Sequence, residues 1–318
     1  MTFRTFAIEM PLQFRGLRRR EGMLVRGDAG WGEFSPFRDY PVAACVPWLE
    51  SALEAAHGLW PAPVRTQIPV NCSVPAVGPE EAHKIVRASG CITAKVKVAE
   101  AGQVLFDDVA RLEAVRDALG RSGRIRIDAN GAWTPDDAAV AIKTLDDAAG
   151  GLEYVEQPCS TVEELVEVRR HIDVPVAADE SIRLADDPHR VKKLGAADVA
   201  VLKVQPLGGV NACLRLAEQL NLPVVVSSAI ETSVGLAAGL ALAAALPDLP
   251  YACGLATHTL LAADVVHDPL SPVDGFIELR RPEVDEEALA QVIADDALDA
   301  EWQERLAAVM AIRGKGAR

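Results

Sequence analysis

Between residues 93 and 229 the chain repeats one unit: a short β-branched, apolar run whose last residues are charged or polar, then a helical stretch, then the next run. The loaded ends are Lys95 and Lys97 (AKVKV), Asp128 (IRIDAN), Glu156 (LEYVEQP), Asp179 (PVAADES), Lys203 (VAVLKVQP) and Ser227 with Ser228 (PVVVSSA). From Lys97 onward these positions are separated by 31, 28, 23, 24 and 24 residues. Strand-like runs fall at 67–74, 94–98, 124–129, 152–156, 175–179, 198–204, 223–228 and 251–257. Helical stretches lie near 103–120, 135–149, 161–170, 185–194, 209–220 and 232–246. Such alternation predicts right-handed βαβ units and a parallel sheet. Eight units suit a closed, TIM-like (β/α)8-type barrel. An open doubly wound sheet is the alternative, weakened because no GxGxxG follows any strand.

The flanks leave the repeat. In 1–65, strands are expected at 3–10, 22–26 and 30–34, with a hairpin turn at 27–30 and a helix at 42–58. This is a small α+β unit that ends near the LWPAP run at 59–63. At 275–318 a strand over 276–279 and helices at 286–293 and 301–312 are expected to pack back on that unit. The organisation is therefore an α+β capping domain, 1–65 completed by 275–318, over a barrel domain, 66–274.

Composition narrows the function classes. Net charge is −14, and no basic run exceeds Arg18–Arg20, which argues against nucleic-acid partners. The six cysteines form no CxxC pair and read as small buried hydrophobes in a reducing compartment. The first ten residues carry no apolar signal core. The apolar run at 234–247 falls short of the roughly 20 residues a membrane span needs. A cytoplasmic protein without a membrane partner is expected, and a homo-oligomer is compatible with the sequence.

Charges do not belong at the ends of buried strands unless they are paired or bind something. Residues two apart in a strand share a face, so Lys95 points with Lys97, and Arg126 with Asp128 and Asn130. At the C-terminal ends of barrel strands, Lys97, Asp128, Glu156, Asp179 and Lys203 converge on one mouth. Three converging carboxylates repel unless a hard cation such as Mg2+ joins them. No His or Cys stands at these strand ends, and HxH and HExxH spacings are absent, so zinc is not indicated. A lysine beside a second lysine and a cation is shifted toward a useful base. It could take the α-proton of a carboxylate substrate, the enediolate being stabilised by the metal. By strand parity Glu180 and Glu153 point away from the mouth.

Bland readings compete with these. Lys95 could be only a structural partner of an acid, and Ser227 and Ser228 only small residues at a crowded strand end. Gly208-Gly209 could be a plain turn, or could offer backbone N–H groups to a carboxylate. Arg18–Arg20 could be a solvated turn, or part of a loop at 16–20 over the mouth. The acidic tail at 284–301 reads as a solvated helix face, and the histidines have no expected ligand role.

Five spaced motifs together, KxK at 95–97, DAN at 128–130, EQP at 156–158, DES at 179–181 and Lys203, resemble the muconate-lactonizing branch of the enolase superfamily. RIDANGAWTP (126–135), EQPC (156–159), SSAIETSVGL (227–236) and the short chain resemble its members that dehydrate a cyclohexadiene carboxylate in menaquinone biosynthesis. The resemblance implies a modified (β/α)7β barrel under an N-terminal α+β cap. It implies Mg2+, with Mn2+ as a substitute, on Asp128, Glu156 and Asp179. Lys97 would remove the α-proton and then help hydroxide leave, Lys203 would stabilise the enediolate from the opposite face, and Lys95 would assist electrostatically. Arg126, Asn130, Ser227 and Gly254 would serve substrate binding. Racemases, dipeptide epimerases and cycloisomerases of the same branch carry the same acids and lysines, and a catalytically inactive binding barrel is the alternative of another class.

Overall fold

The structure is a computed structural model and describes residues 2–316. The chain opens with an antiparallel sheet of β1 (Phe3–Phe14), β2 (Leu17–Arg26) and β3 (Trp31–Phe34), in that order. A 3-10 turn (Val42–Cys45) then leads into α1 (Val46–His57). The barrel strands are β4 (Gln67–Pro69), β5 (Cys72–Val74), β6 (Thr93–Lys97), β7 (Arg124–Asp128), β8 (Val155–Glu156), β9 (Val176–Ala178), β10 (Val199–Lys203) and β11 (Val224–Ser227). Between and after them run α2 (Pro79–Ser89), α3 (Leu105–Leu119), α4 (Pro135–Ala149), α5 (Val162–Arg169), α6 (Glu180–Arg183), α7 (Arg190–Leu194), α8 (Val210–Leu220) and α9 (Ser233–Ala245). A 3-10 turn (Ala256–Leu260), β12 (Phe276–Glu278), α10 (Glu286–Val292) and α11 (Asp296–Gly316) complete the chain.

Strands β5 to β11 form one parallel sheet in sequence order. The sheet closes through the segment around Cys253. Its backbone takes Asn71 N–H at 2.9 Å, donates to the Pro69 carbonyl at 2.7 Å, and through Gly254 donates to Val226 at 2.8 Å. The eighth strand expected over 251–257 is therefore only a pair of bridges, and the fold is a (β/α)7β barrel. The chain has no room for a longer strand, because it turns at once into the 3-10 turn beneath the cap.

Other boundaries follow from local chemistry. The expected 67–74 strand splits after Pro69, which has no N–H to continue a ladder, and β4 pairs antiparallel with β12. So β12, expected with the cap, belongs to the barrel side. Of the expected 185–194 helix only α7 forms, after Pro188, where the residue before proline is driven out of the helical region; the short α6 lies before that stretch. Helix α4 forms as expected: Thr134 accepts the Asp137 N–H at its start, and Gly150 ends it at φ +63°. The loop expected at 16–20 shrinks to a two-residue turn, Arg15 (φ +52°) and Gly16 (φ +72°), because β1 and β2 pair almost to their tips.

Two apolar cores result. One lies between the barrel strands and their helices, with Val96, Ile127, Val155, Leu202 and Val226 facing outward onto it. The other gathers Phe6, Phe34, Trp48 and Trp302 of the terminal segments with Ile230, Val234, Leu260 and Val265 of the barrel. Helix α9, apolar on every side, is buried almost throughout. The residues of opposite parity, Tyr154, Ala177, Val199, Val201 and Val225, fill the lower barrel interior. Among the described residues no helix is long and apolar enough to cross a membrane.

Candidate active site

Alternation in the strands carries the charged residues one layer above that interior plug. Lys97, Asp128, Glu156, Asp179, Lys203 and Ser227 each end or directly follow successive strands β6 to β11. All three carboxylates are fully buried. Lys95 Nζ donates to Asp128 Oδ2 at 3.0 Å and to Glu156 Oε1 at 2.8 Å. Lys97 Nζ donates to Asp128 Oδ2 at 2.6 Å and to Asn130 Oδ1. Across the mouth, Lys203 Nζ donates to Asp179 Oδ2 at 2.6 Å. With β6 and β10 four places apart in an eight-place barrel, the two lysines stand on opposite walls.

Electrostatics separates these groups. Burial pushes the Asp128 carboxyl up, but the Lys95 and Lys97 ammonium groups overcome this and hold it well below the usual carboxylate range. Asp179 likewise falls to about 2, burial being outweighed by Lys203 and Arg183. Glu156 goes the other way, to about 7, through burial and the charge of Asp128, against the pull of Lys95. Burial and the neighbouring Lys95 lower Lys97, against the pull of Asp128. Burial also opposes the charge on Lys95, but Asp128 and Glu156 raise it well above the ordinary value.

Among the described residues no three acid, imidazole or thiol groups are gathered at metal-ligand spacing. Each site carboxylate leans on an ammonium group instead. The donor set still fits a hard divalent cation. It is all oxygen, it comes from three adjacent strands, and Glu156 Oε2 is buried with no hydrogen-bond partner. A divalent cation there would also offset the burial and the Asp128 charge that raise Glu156.

The remaining expected residues divide. Asn130, Ser227 and Gly254 line a cavity at the mouth, together with Lys95, Lys97, Asp128 and Lys203. Asn130 sits at φ +48°, its N–H on Asp128 Oδ1 at 3.1 Å. A Cβ on Gly254 would lie 2.7 Å from Ser227 Oγ. Arg126 is not at the mouth. It lies in the barrel floor, with Nε on Glu153 Oε2 at 2.8 Å, NH1 on the Ala252 carbonyl at 2.7 Å, and its guanidinium 4.7 Å from the Tyr154 ring centroid. Its parity with Asp128 is as expected, but two residues lower in the strand is one layer lower in the barrel, out of reach of a ligand in the cavity. Glu153, expected to point outward, folds beneath the barrel to pair with this arginine.

Glu180 also departs from its expected outward direction. It follows β9 inside the short α6, where strand parity no longer holds, and it accepts from Asn130 Nδ2 at 3.2 Å. Gly208-Gly209 is a plain turn: the Gly208 N–H donates to the Gln205 carbonyl at 3.2 Å and the Gly209 N–H to the Val204 carbonyl at 3.0 Å, while the next two N–H groups, of Val210 and Asn211, donate to Glu54 of α1 at 2.5 Å and 3.2 Å. Arg18–Arg20 is strand, and Arg20 is buried.

Several site residues carried no signal in the repeat. Phe14 and Arg15 at the β1–β2 tip, with Phe37 and Tyr40, close the cavity from the cap side. The Phe14 ring centroid lies 5.4 Å from Lys97 Nζ. Arg183 donates from Nε to Asp179 Oδ1 at 2.9 Å and reaches the Tyr40 hydroxyl. Its position four after Asp179 in a helical turn was the available clue. Gln157 of the EQP run accepts the N–H groups of Asp179 and Ser181, both at 3.1 Å, and so locks the DES turn.

Comparison with known proteins agrees with this geometry. Residues 79–283 match the enolase C-terminal domain-like family, and residues 5–56 the enolase N-terminal domain-like family. The chain is 65% identical over 311 residues to the o-succinylbenzoate synthase of Thermobifida fusca (strain YX), covering 98% of this chain and 96% of that one. It is 49% identical to the o-succinylbenzoate synthase of Mycolicibacterium smegmatis, covering 96% and 94%. A dipeptide epimerase from Enterococcus faecalis V583, solved with Mg and the dipeptide L-Leu-L-Tyr, shares the fold. Its TM-score is 0.73 at 21% identity, over 89% of this chain and 97% of that one. Enzymes of this superfamily use a divalent metal ion. The chain belongs to the enolase superfamily, in its o-succinylbenzoate synthase group.

Proposed function

We infer that the chain catalyses the Mg2+-dependent syn dehydration of 2-succinyl-6-hydroxy-2,4-cyclohexadiene-1-carboxylate to o-succinylbenzoate, a lyase step of menaquinone biosynthesis. The observation that carries this is the pair of lysines on opposite walls of one mouth, with three buried carboxylates between them, in a chain 65% identical to a named synthase.

Asp128, Glu156 and Asp179 are the residues to hold Mg2+ or, as a substitute, Mn2+. When bound, the cation would engage the substrate carboxylate and make its α-proton more acidic. Lys97, lowered by burial and by Lys95, takes that proton on Nζ. The same ammonium then protonates the departing hydroxide, so both events occur on one face, as a syn elimination requires. Lys203, paired with Asp179, stands on the opposite face, where negative charge develops. Lys95, held fully charged between Asp128 and Glu156, fixes the local field. Asn130 orients Lys97, and Ser227 beside Gly254 offers a hydroxyl to the succinyl arm. Phe14 and Phe37 give the mouth a partly apolar wall on the cap side.

We divide the chain into a cap, 1–65 with 275–318 except β12, and a barrel, 66–274, to which β12 adds through β4. We place the protein in the cytoplasm, with a small carboxylate as ligand and no nucleic-acid partner; the six cysteines, all free and buried, and the net charge of −14 support this. Incubating purified protein with the cyclohexadiene acid and Mg2+, and following o-succinylbenzoate absorbance, tests the reading; absence of turnover overturns it. The opposed lysines also favour a second reading, racemisation of an N-acylamino acid. Its signature is exchange of the α-proton for deuterium from both enantiomers.

A further inference from the structure

The cap meets the barrel along a seam of buried polar groups that the proton-transfer chemistry does not use. Arg20 of β2 lies at its centre, only 2% exposed. Its Nε donates to the Ile230 carbonyl at 3.0 Å, its NH1 to the Glu21 carbonyl at 2.7 Å, and its NH2 to Ser35 Oγ at 2.9 Å and to the Ser35 carbonyl. The guanidinium also lies 4.7 Å from the ring centroid of Phe37. Phe37 and Ile230 both line the mouth cavity, one from the cap and one from the barrel. One buried side chain therefore braces a wall residue from each side of the seam.

Ile230 needs that brace. Its φ is +63°, a left-handed conformation that a β-branched residue adopts only under constraint. Its N–H reaches Ser228 Oγ at 3.4 Å, at the edge of a hydrogen bond, so the carbonyl contact from Arg20 is the stronger tie. Two residues on, Thr232 N–H and Gly235 N–H donate to Glu33 Oε2, each at 3.1 Å, while Ser35 Oγ donates to Glu33 Oε1 at 2.6 Å. Arg20, Ser35 and Glu33 thus form one connected unit that holds the 228–232 turn in a conformation the turn would not keep alone. Strain of this kind persists where the surroundings over-determine it, and it concentrates at ligand sites.

We propose that Arg20 is a positioning residue for the reaction: by tying the Ile230 carbonyl and supporting Phe37, it sets the spacing of the cap and barrel walls that close on bound substrate. This rests on the substrate assignment above. Arg20 touches none of the proton-transfer groups, so its loss acts on binding rather than on the chemical step.

The test compares KM, kcat, melting temperature and the Kd of o-succinylbenzoate for the parent, Arg20→Met, Ser35→Ala and Glu54→Gln. Arg20→Met is expected to raise KM about tenfold with kcat within about threefold of the parent, the scale of one hydrogen bond to a charged group. Ser35→Ala, which leaves the arginine but removes its hydroxyl partner, shifts KM the same way by less. Glu54→Gln loosens another cap–barrel tie, at Val210 and Asn211, neither of which lines the cavity. It lowers the melting temperature and leaves KM unchanged. A folded Arg20→Met with KM within about twofold of the parent overturns the proposal, as does an equal KM rise in Glu54→Gln. If Arg20→Met does not fold, Ser35→Ala decides by the same direction of change. An inactive parent overturns the assigned reaction instead, and the Kd comparison then decides the positioning role.

Discussion

At the scale of single residues, Lys95 and Lys97 share a face and differ by two positions, yet their neighbours give them opposite tasks. Lys95 is held between two carboxylates and stays charged; Lys97 has one carboxylate, a lysine behind it and little solvent. The KxK spacing showed that both would face the mouth. It could not show which would give up a proton, because that depends on Glu156, 61 residues from Lys95 in the chain. Gly254 is set by closeness rather than by backbone freedom. Gly254→Ala forces a methyl group to within 2.7 Å of Ser227 Oγ. The expected cost is about 1–3 kcal/mol of stability, the usual range for an overpacked site. A thermal melt beside the parent checks this, with KM rising because Ser227 must move; an unchanged melt would mean the turn yields freely.

At the scale of elements, two glutamates from the cap end two barrel helices. Glu54 accepts the first N–H groups of α8, and Glu33 those of α9. Each satisfies donors that no residue of its own helix reaches, and an ionised carboxylate at that place also complements the positive end of the helix dipole. Removing the Glu54 charge is therefore expected to cost about 1 kcal/mol, as for loss of a helix cap, read as a lower melting temperature with kcat unchanged. Equal stability of Glu54→Gln and parent would contradict it. Glu33 adds a pH dependence. Burial and the charge of Glu231 raise its carboxyl from 4.5 to about 7, against the pull of Arg20, Ser35 and Thr232. Between those values the folded chain keeps a proton that the unfolded chain has released, so this group's contribution to stability falls as pH rises from 4.5 to about 7. Glu33→Gln stays neutral and should flatten the decline of melting temperature across that window; parallel curves for parent and variant would contradict the assignment. Periodicity revealed the helices that receive these glutamates, since Gly208-Gly209 and Thr232 mark their starts. It was silent on the donors' partners, because a cap and its helix lie in different domains. The same blindness explains Arg126. Parity gives the face of a strand but not the layer, and one layer separates the mouth from the floor.

At the scale of the whole molecule, the repeat alone defined a barrel and gathered its charged strand ends, since strand alternation is local. The cap side of the site was not legible in this way. Phe14 at the end of β1 and Arg15, Phe37 and Tyr40 on turns and loops have no periodic signature, and only the folded molecule brings them over the mouth. Beneath them lie the three carboxylates that would hold the metal on which the proposed mechanism depends. Without a cation, Glu156 Oε2 is buried with no hydrogen-bond partner. Treatment with a chelator is expected to abolish turnover, and added Mg2+ to restore it; activity that survives exhaustive chelation would contradict the carboxylate assignments. The central claim is that Lys97 moves the proton. The most direct measurement is the initial rate of o-succinylbenzoate formation by Lys97→Ala beside the parent, with Mg2+ present and both proteins checked for equal folding. A loss of about 10²–10⁴-fold or more, the scale of a removed general base, is predicted. A folded Lys97→Ala that keeps the parent's rate would contradict it.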